Sequence, residues 1–268
     1  MQAMPADTLI ISDLHLGSEV SRAREAQRLL RACSFRRLIL LGDIFADLNF
    51  SRLKKDHWRF LSQIRKLSNP KRNIEVVWVE GNHDQGLSTL MSHLVGVRVY
   101  QEYAWTYAGV RHLAIHGHQF DQFTVHNLAL SQFGGLLYLQ LQKLDPGKKG
   151  FSRFLDRLNT RWLRMSPKVS SGALEYARRR GVERIFCGHT HAAMEMERDG
   201  IHYYNAGSWV GAQPTYITVG EQGVEIQRYA GTDDRDPRQE RSEVAAEVAD
   251  FADEADLLAE PESASLRC

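Results

Sequence analysis

Residues 74–85 read IEVVWVEGNHDQ. The apolar part of this stretch predicts a buried strand that ends at Gly81. An amide, an imidazole and a carboxylate follow at once, on Asn82, His83 and Asp84. Open α/β sheets build their sites at such strand ends, because loops from several strands converge there. The stretch therefore predicts a strand and part of a functional site together.

Four other segments repeat this pattern of a short apolar run that stops at Gly, Asp or His. They are TLIIS before DLHLG (residues 8–17), RLILL before GDIF (37–45), RHLAI before HGH (111–118) and RIFC before GHTH (184–191). Helical patterns at about residues 21–33 and 53–67 separate the first three strands. Strands that alternate with helices predict an α/β fold, and we expect strands within residues 201–229 to form a second, partly antiparallel sheet.

The polar residues at these strand ends are potential metal ligands. Asp13 and His15 are two residues apart, so on an extended strand end they point the same way, as do His189 and His191. Asp43 adds a carboxylate that can bridge two ions. The remaining candidates are the amide oxygen of Asn82 and the imidazole of His116.

Seven oxygen and nitrogen ligands without a thiolate exceed the needs of one closed tetrahedral site and suit two adjacent divalent ions. The ligand types fit manganese (Mn²⁺), with Fe²⁺ or Zn²⁺ as alternatives. Two such ions bind phosphoryl oxygens and activate water, so the set predicts hydrolysis of a phosphate ester or anhydride.

Two residues beside Asn82 are candidates for catalysis. His83 is placed to face the leaving oxygen, as a general acid or a cationic stabiliser. Asp84 either holds the His83 imidazole or caps the helix that follows near Ser88.

Residues 122–168 interrupt the α/β pattern with a helical period that is rich in large apolar and basic residues. We expect either a helical hairpin packed on the core or a lid that meets an acyl chain and phosphates. Residues 231–268 carry 12 acidic and 4 basic side chains, a net charge of −8, which leaves +9 on residues 1–230. The chain thus divides into a domain of residues 1–230 and an acidic tail that is predicted to be disordered.

Composition narrows the class of protein. Cys33, Cys187 and Cys268 have no paired spacing, which indicates free thiols in a reducing compartment. No apolar run is long enough to span a membrane, and no nucleic-acid-binding module is present, so we expect a cytoplasmic protein that binds no nucleic acid. Tryptophans 58, 78 and 105 are expected in the core.

The ordered motifs DLHLG, GDIF, GNHD, HGH and GHTH resemble those of the calcineurin-like metallophosphoesterase superfamily, over about residues 8–229. The resemblance implies a two-sheet sandwich flanked by helices, with two metals at the strand ends. It implies two ligand sets that share one carboxylate: Asp13, His15, Asp43 and His191 for one ion, and Asp43, Asn82, His116 and His189 for the other.

The insertion between HGH and GHTH, and NAGSW at residues 205–209, are similar to the UDP-2,3-diacylglucosamine diphosphatase group. That likeness implies substrate contacts by Asn82, His83, Asp121 and His189, although Asp121 equally suits a helix cap. Asn205 and Trp209 either sit at the rim of the site or owe their spacing to a tight turn.

The chain departs from this lipid group at two positions, because His83 stands where the group has Arg and His118 where it has Asp. Three hypotheses remain open. The first is a pyrophosphatase that acts on the lipid nucleotide, with peripheral contact to the inner membrane. The second is a phosphatase or phosphodiesterase for a soluble phosphomonoester, phosphodiester or nucleotide, and the third is a non-catalytic scaffold.

Overall fold

A computed structural model describes residues 6–86, 88–121, 167–210 and 213–231. The predicted acidic tail and nearly all of the predicted insertion lie outside these residues. The strands are β1 (Ala6–Ile11), β2 (Phe35–Leu41), β3 (Glu75–Val79), β4 (Arg98–Tyr100), β5 (Glu102–Tyr107), β6 (Val110–Ile115), β7 (Arg184–Cys187), β8 (Met194–Arg198), β9 (Ile201–Asn205), β10 (Thr215–Gly220) and β11 (Gly223–Arg228). The helices are α1 (Ala23–Ala32), α2 (Lys55–Leu67), α3 (Ser88–Val95) and α4 (Pro167–Arg180).

The strands form two mixed sheets. The first has the order β11-β10-β1-β2-β3-β4, in which β1 to β4 are parallel, β10 is antiparallel to β1, and β11 is antiparallel to β10. The second has the order β5-β6-β7-β9-β8, with β6, β7 and β9 parallel. This confirms the predicted α/β sandwich with flanking helices.

The apolar runs in the sequence reflect burial on both faces of the first sheet. Within β1, Leu9 and Ile11 pack with the helix-side core of α1 and α2, whereas Ile10 points to the second sheet. Leu38 and Ile39 of β2 divide in the same way. A strand that is covered on both sides needs a continuous apolar run, which is why the period-2 alternation is absent from these segments.

The far face of the second sheet packs against α4, through Leu113 and Ile185 of the sheet and Ala173 and Leu174 of the helix. The order of layers is therefore helices, sheet, sheet, helix. Within the described parts of the chain, no helix is both long and apolar enough to cross a membrane.

Two expectations about the fold are wrong. The hairpin of β10 and β11 belongs to the first sheet, where β10 pairs with β1, and not to the second. Trp58 is 52% exposed on α2, whereas Trp78 and Trp105 are buried as expected. The prediction failed for Trp58 because the apolar period of a helix locates its buried face only to within about one residue. A residue at the border of that face can therefore be exposed.

The parallel strands of both sheets end at one shared edge. The backbone amide of Asp13, after β1, donates to the carbonyl of Gly42, after β2 (3.1 Å), and the amide of Gly188, after β7, donates to the carbonyl of His116, after β6 (2.9 Å). These bonds continue the sheet pairing past the strands and join the motif loops in two pairs, one from each sheet.

Candidate metal centre

The first group of ligand atoms comes from the loops after β1 and β7. The carboxylate atom Oδ1 of Asp13 lies 2.9 Å from Nε2 of His191 and 3.7 Å from Nε2 of His15. The two imidazole nitrogens are 3.1 Å apart. All three side chains are nearly or fully buried, so three donor atoms converge in a space from which bulk water is largely excluded.

The second group consists of Asp43, His116 and His189, which follow β2, β6 and β7 and are all buried. Each offers one donor atom within 4.8 Å of the others. The His116 ring is fixed by a hydrogen bond from Nδ1 to the carbonyl of Leu41 (2.9 Å). This bond leaves Nε2 as the nitrogen that faces Asp43.

Asp43 connects the two groups. Its Oδ1 accepts a hydrogen bond from the backbone amide of His83 at 2.9 Å. Its Oδ2 lies 3.4 Å from Nε2 of His116 and 4.0 Å from Nε2 of His15. One carboxylate oxygen therefore lies between an imidazole of each group, as the predicted bridging role requires.

The donor atoms themselves fit divalent cations. Among the described residues, Oδ2 of Asp43, Oδ1 of Asn82 and Nε2 of His116 are buried and make no hydrogen bond. Buried polar atoms without partners cost about 1–3 kcal/mol each, and three together are unusual. A carboxylate oxygen, an amide oxygen and an imidazole nitrogen are all acceptors, so a cation satisfies them where no hydrogen-bond donor does.

The histidines also keep the carboxylates ionised. Burial alone favours the neutral acid, but His191 and His15 hold the pKa of Asp13 well below its usual value. Against burial, the pKa of Asp43 is lowered by His116 and His83, and Asp43 in turn raises the pKa of His116 to about 9; a bound cation would take the place of the proton on His116. Both acids are therefore charged ligands at neutral pH.

The backbone at the ligands is unusual. Five of the seven predicted ligands have a positive φ between 48° and 65°: Asp13, His15, Asp43, His189 and His191. Non-glycine residues seldom adopt this left-handed conformation, and it costs about 1–3 kcal/mol where it is held in place. Such residues cluster at functional sites, so the backbone independently marks this edge as one.

Two glycines let the motif loops approach each other. A Cβ atom at Gly81 would overlap the backbone amide and Oδ1 of Asp43, and a Cβ atom at Gly188 would overlap the side chains of Ser12 and Asp13. The glycine that precedes the ligand in GNHD and in GHTH is thus required by close packing between loops.

His83 lies beside the bridging carboxylate. Its Nε2 is 3.9 Å from Oδ2 of Asp43, and its side chain is 34% exposed, whereas the side chain of Asp43 is fully buried. Nδ1 contacts the carbonyl oxygen of Ala46 at 2.7 Å. Because Nδ1 donates to that carbonyl, Nε2 is the atom that can take up or release a proton toward a substrate.

The described hydrogen bonds of Asp84 are with the GDIF loop and not with the His83 imidazole, whose Nδ1 contacts Ala46 instead. The two carboxylate oxygens of Asp84 accept hydrogen bonds from the backbone amides of Ile44 (3.0 Å) and Phe45 (2.9 Å). Burial and the charge of Asp43 raise the pKa of Asp84 to about 6, against these two hydrogen bonds. Asp84 therefore ties the GNHD loop to the GDIF loop.

Of the two interpretations of NAGSW, a rim of the site and a tight turn, the structure contradicts the rim. Asn205 and Trp209 are fully buried. The amide of Asn205 donates to the carbonyl of Gly188 (2.6 Å), and the backbone amide of Trp209 donates to the carbonyl of Asp13 (3.0 Å). The turn interpretation of their spacing is confirmed, because Oδ1 of Asn205 accepts a hydrogen bond from the backbone amide of Gly207 (3.0 Å), which has a positive φ of 72°.

Two further residues line the second group. Asp121 approaches His189, with Oδ2 3.3 Å from Nε2. The ring of His118 lies 5.5 Å from that of His116, and burial together with His116 and His189 lowers the pKa of His118 to about 3. His118 therefore presents a neutral imidazole where the lipid group has a carboxylate.

Ser12 was missed by the sequence reasoning. Its hydroxyl contacts both Oδ2 of Asp13 (2.6 Å) and the carbonyl of Leu41 (2.6 Å). The available signal was a hydroxyl at the last buried position before a ligand. A serine at that position also suits the end of a strand, so the signal was not specific.

Comparison with solved structures gives distant likenesses. A phosphoesterase from E. coli, Yfce, is 15% identical over 83% of this chain and 93% of its own, with a TM-score of 0.49. An archaeal phosphodiesterase (14% identity, 82% and 98% coverage, TM-score 0.44) and zinc-complexed Vps29 from Entamoeba histolytica (15%, 82% and 97%, 0.44) are also similar. No curated protein matches the chain significantly.

The family comparison is decisive. The family model for calcineurin-like phosphoesterases matches residues 7–193, which include all seven predicted ligands. The superfamily resemblance drawn from the motifs is thereby confirmed, and the described geometry supplies a centre of the kind that metal-dependent hydrolysis of phosphate esters requires. The chain belongs to the calcineurin-like phosphoesterase family.

Proposed function

We propose that this protein is a two-metal hydrolase that cleaves the phosphate anhydride of UDP-2,3-diacylglucosamine. The observation that carries the two-metal part is the position of Asp43 Oδ2 between the two groups of ligands, 3.4 Å from His116 and 4.0 Å from His15. Asp13, His15, Asp43 and His191 would hold one ion, and Asp43, Asn82, His116 and His189 the other. Mn²⁺ is the proposed metal.

Two bound divalent cations would supply Lewis acidity for the phosphoryl group and lower the pKa of a water molecule. The residues of the chain contribute the rest. His83 directs Nε2 toward the bridge and donates a proton to the leaving phosphate oxygen. Asp84 and Ser12 keep the loops of Asp43 and Asp13 in register.

The reaction forms one bond and breaks one. A water oxygen attacks the phosphorus of the UMP moiety, and the bond from that phosphorus to the bridging oxygen breaks. The attacking water releases one proton to the solvent, and the leaving phosphate oxygen takes the proton of His83, which the solvent then restores. The products are UMP and 2,3-diacylglucosamine 1-phosphate.

The acylated substrate is proposed from the likeness of the insertion and of NAGSW to the lipid group. Residues 122–168 hold large apolar side chains together with basic ones, a composition suited to acyl chains beside phosphates. We propose that this insertion in the domain of residues 1–230 is a lid, and that the cytoplasmic protein acts at the inner-membrane surface without spanning it. The acidic tail is proposed to lie outside the catalytic domain.

His83 and His118 favour a second candidate, in which the same centre hydrolyses a soluble phosphodiester. Both imidazoles replace residues that the lipid group uses, and both lie next to the metal ligands. A neutral imidazole at position 118 lacks the negative charge of the aspartate that the lipid group has there.

One assay separates the two candidates. Purified protein with Mn²⁺ is given UDP-2,3-diacylglucosamine, UDP-glucose and a chromogenic phosphodiester, with the Asp43→Ala variant as the blank. Preference for the acylated substrate by about 100-fold or more in kcat/KM supports the lipid assignment. Hydrolysis of the soluble esters alone would retain the metal chemistry and remove the lipid assignment.

If the wild-type protein binds both ions but hydrolyses none of the phosphate compounds, the result would instead favour the scaffold hypothesis. Equal activity of wild type and Asp43→Ala on any substrate would remove the two-metal mechanism. The assay therefore tests the reaction and the substrate separately.

A further inference from the structure

Asp121 has a fixed place in the structure. It follows the short 3₁₀ turn His118–Phe120, and its backbone amide donates to the carbonyl of His118 at 3.1 Å. The turn is held by α4, since the ring of Phe120 lies 5.6 Å from that of Tyr176 and close against Gly172. Asp121 itself is 7% exposed. A carboxylate so buried and so anchored points to a structural task within the site.

The partner of Asp121 is a ligand of the second group. Oδ2 of Asp121 lies 3.3 Å from Nε2 of His189, and both side chains are buried. A carboxylate accepts, so Nε2 of His189 carries the proton, and in the neutral ring Nδ1 then holds the lone pair. A metal ion needs that lone pair.

His116 is arranged in the same manner with the nitrogens exchanged. Its Nδ1 donates to the carbonyl of Leu41 at 2.9 Å, which makes Nε2 the lone-pair nitrogen. Both histidines of the second group therefore have one ring nitrogen bonded to a protein oxygen. Outer hydrogen bonds of this kind fix the ring orientation and the tautomer of metal-binding histidines.

We infer that Asp121 is a positioning residue of the second metal site, which sets the tautomer and orientation of His189, and not the substrate contact that the family likeness implies. The inference rests on the proposed function only in that a divalent ion binds this group. The role explains why Asp121 is buried against a ligand, whereas a sugar-binding carboxylate would need an accessible face.

The test is metal binding without substrate. Mn²⁺ is titrated into the metal-free full-length protein, and the two dissociation constants are compared for wild type, Asp121→Asn and Asp121→Ala. We expect Asp121→Ala to weaken one ion by about 10–100-fold and to leave the other within about 3-fold. Asp121→Asn keeps an oxygen that accepts from Nε2, so it should restore most of the affinity.

Asp56→Ala is the control, because Asp56 lies on α2 with a 43% exposed side chain and pairs with Arg59. Unchanged affinity for both ions in Asp121→Ala, with a raised KM, would overturn the inference in favour of a substrate contact. Equal weakening of both ions would overturn it too, because the proposed effect is confined to His189.

A second measurement needs no variant of Asp121. In the Zn²⁺-loaded protein with ¹⁵N-labelled histidine, the His189 ring, assigned by its loss in His189→Gln, should carry its proton on Nε2. A proton on Nδ1 would overturn the inference. Neither measurement depends on catalytic turnover. Both results would therefore hold even if the protein did not hydrolyse the proposed substrate.

Discussion

Asp84 accepts a hydrogen bond from the backbone amide of Phe45 at 2.9 Å, across 39 positions of sequence. The second oxygen of the same carboxylate accepts from Ile44 at 3.0 Å. These two bonds join the loop that carries Asn82 to the loop that carries Asp43. The spacing of two metal-binding motifs thus depends on one buried acid that is not itself a predicted ligand.

Replacing Asp84 by Asn should destabilise the protein. The amide offers one oxygen in place of two, and its NH₂ group would face a backbone N–H, so one hydrogen bond to a charged acceptor is lost. We expect the free energy of unfolding to fall by about 1.5–3 kcal/mol in buffer with Mn²⁺, where bound cations would offset the repulsion between Asp43 and Asp84, as measured by urea denaturation. The exposed Asp199→Asn serves as control. A loss no larger than in this control would show that the bonds do not constrain the loops.

Replacing His83 by Ala should lower kcat and leave the metals bound. Nε2 of His83 is the ring nitrogen that faces the bridge, whereas the hydrogen bond to Asp43 comes from the backbone amide of residue 83 and survives the substitution. We expect kcat to fall by about 10²–10⁴-fold, with two ions per chain by elemental analysis. Loss of an ion together with activity would instead make His83 a ligand.

Replacing Gly81 by Ala should disturb the metal centre through the backbone alone. The added Cβ would overlap the backbone amide and Oδ1 of Asp43. The overlap with the amide cannot be relieved by a change of side-chain rotamer, so the backbone itself has to shift. We expect a loss of about 1–3 kcal/mol in stability, as for an overpacked core, and fewer than two ions per chain. Gly220→Ala is the matched control, since its Cβ would make only an ordinary contact with Ala6.

His112 should make the protein sensitive to acid. The ring is fully buried between Trp105 and Phe186, with centroid distances of 4.9 and 5.7 Å, and Nδ1 donates to the carbonyl of Val110. Burial lowers the pKa of His112 from 6.5 to about 4.

The direction of the effect follows from the two pKa values. Above pH 6.5 the ring is neutral in both states and its pKa shift has no effect on stability. As the pH falls from 6.5 toward 4, only the unfolded chain takes up the proton, so stability drops by up to about 1.4 kcal/mol per pH unit. Denaturation between pH 7 and 5 should show a shallower decline in His112→Phe than in wild type. The exposed His93→Gln should decline as wild type does, and an equal slope in His112→Phe would contradict the assignment.

The strands of the site were predictable because each is a run buried on both faces that ends in polar residues. RIFC coincides with β7, and the other four motif strands agree to within two residues at each end. The ligands followed from the strand ends, since parallel strands bring their carboxyl ends to one edge.

Partners within the site were less predictable, because sequence neighbours need not be spatial partners. Asp84 follows His83 in the chain but bonds to the GDIF loop, and Asn205 supports Gly188 from beneath. Strand order was obscure for a similar reason: the hairpin of β10 and β11 follows β9 in sequence yet pairs with β1. These pairings depend on loop packing between distant segments, which local patterns do not encode.

The left-handed backbone of five ligands has a consequence for how the protein binds its ions. The unfavourable dihedral angles are set when the chain folds, so a metal that arrives later meets donor atoms that already converge. Ordering entropy is then a small part of the binding equilibrium, and affinity depends mainly on dehydration of the ion and on proton release. Exchange between ions in the cell would accordingly be governed by supply of the metal, since little rearrangement of the polypeptide stands between one occupant and the next.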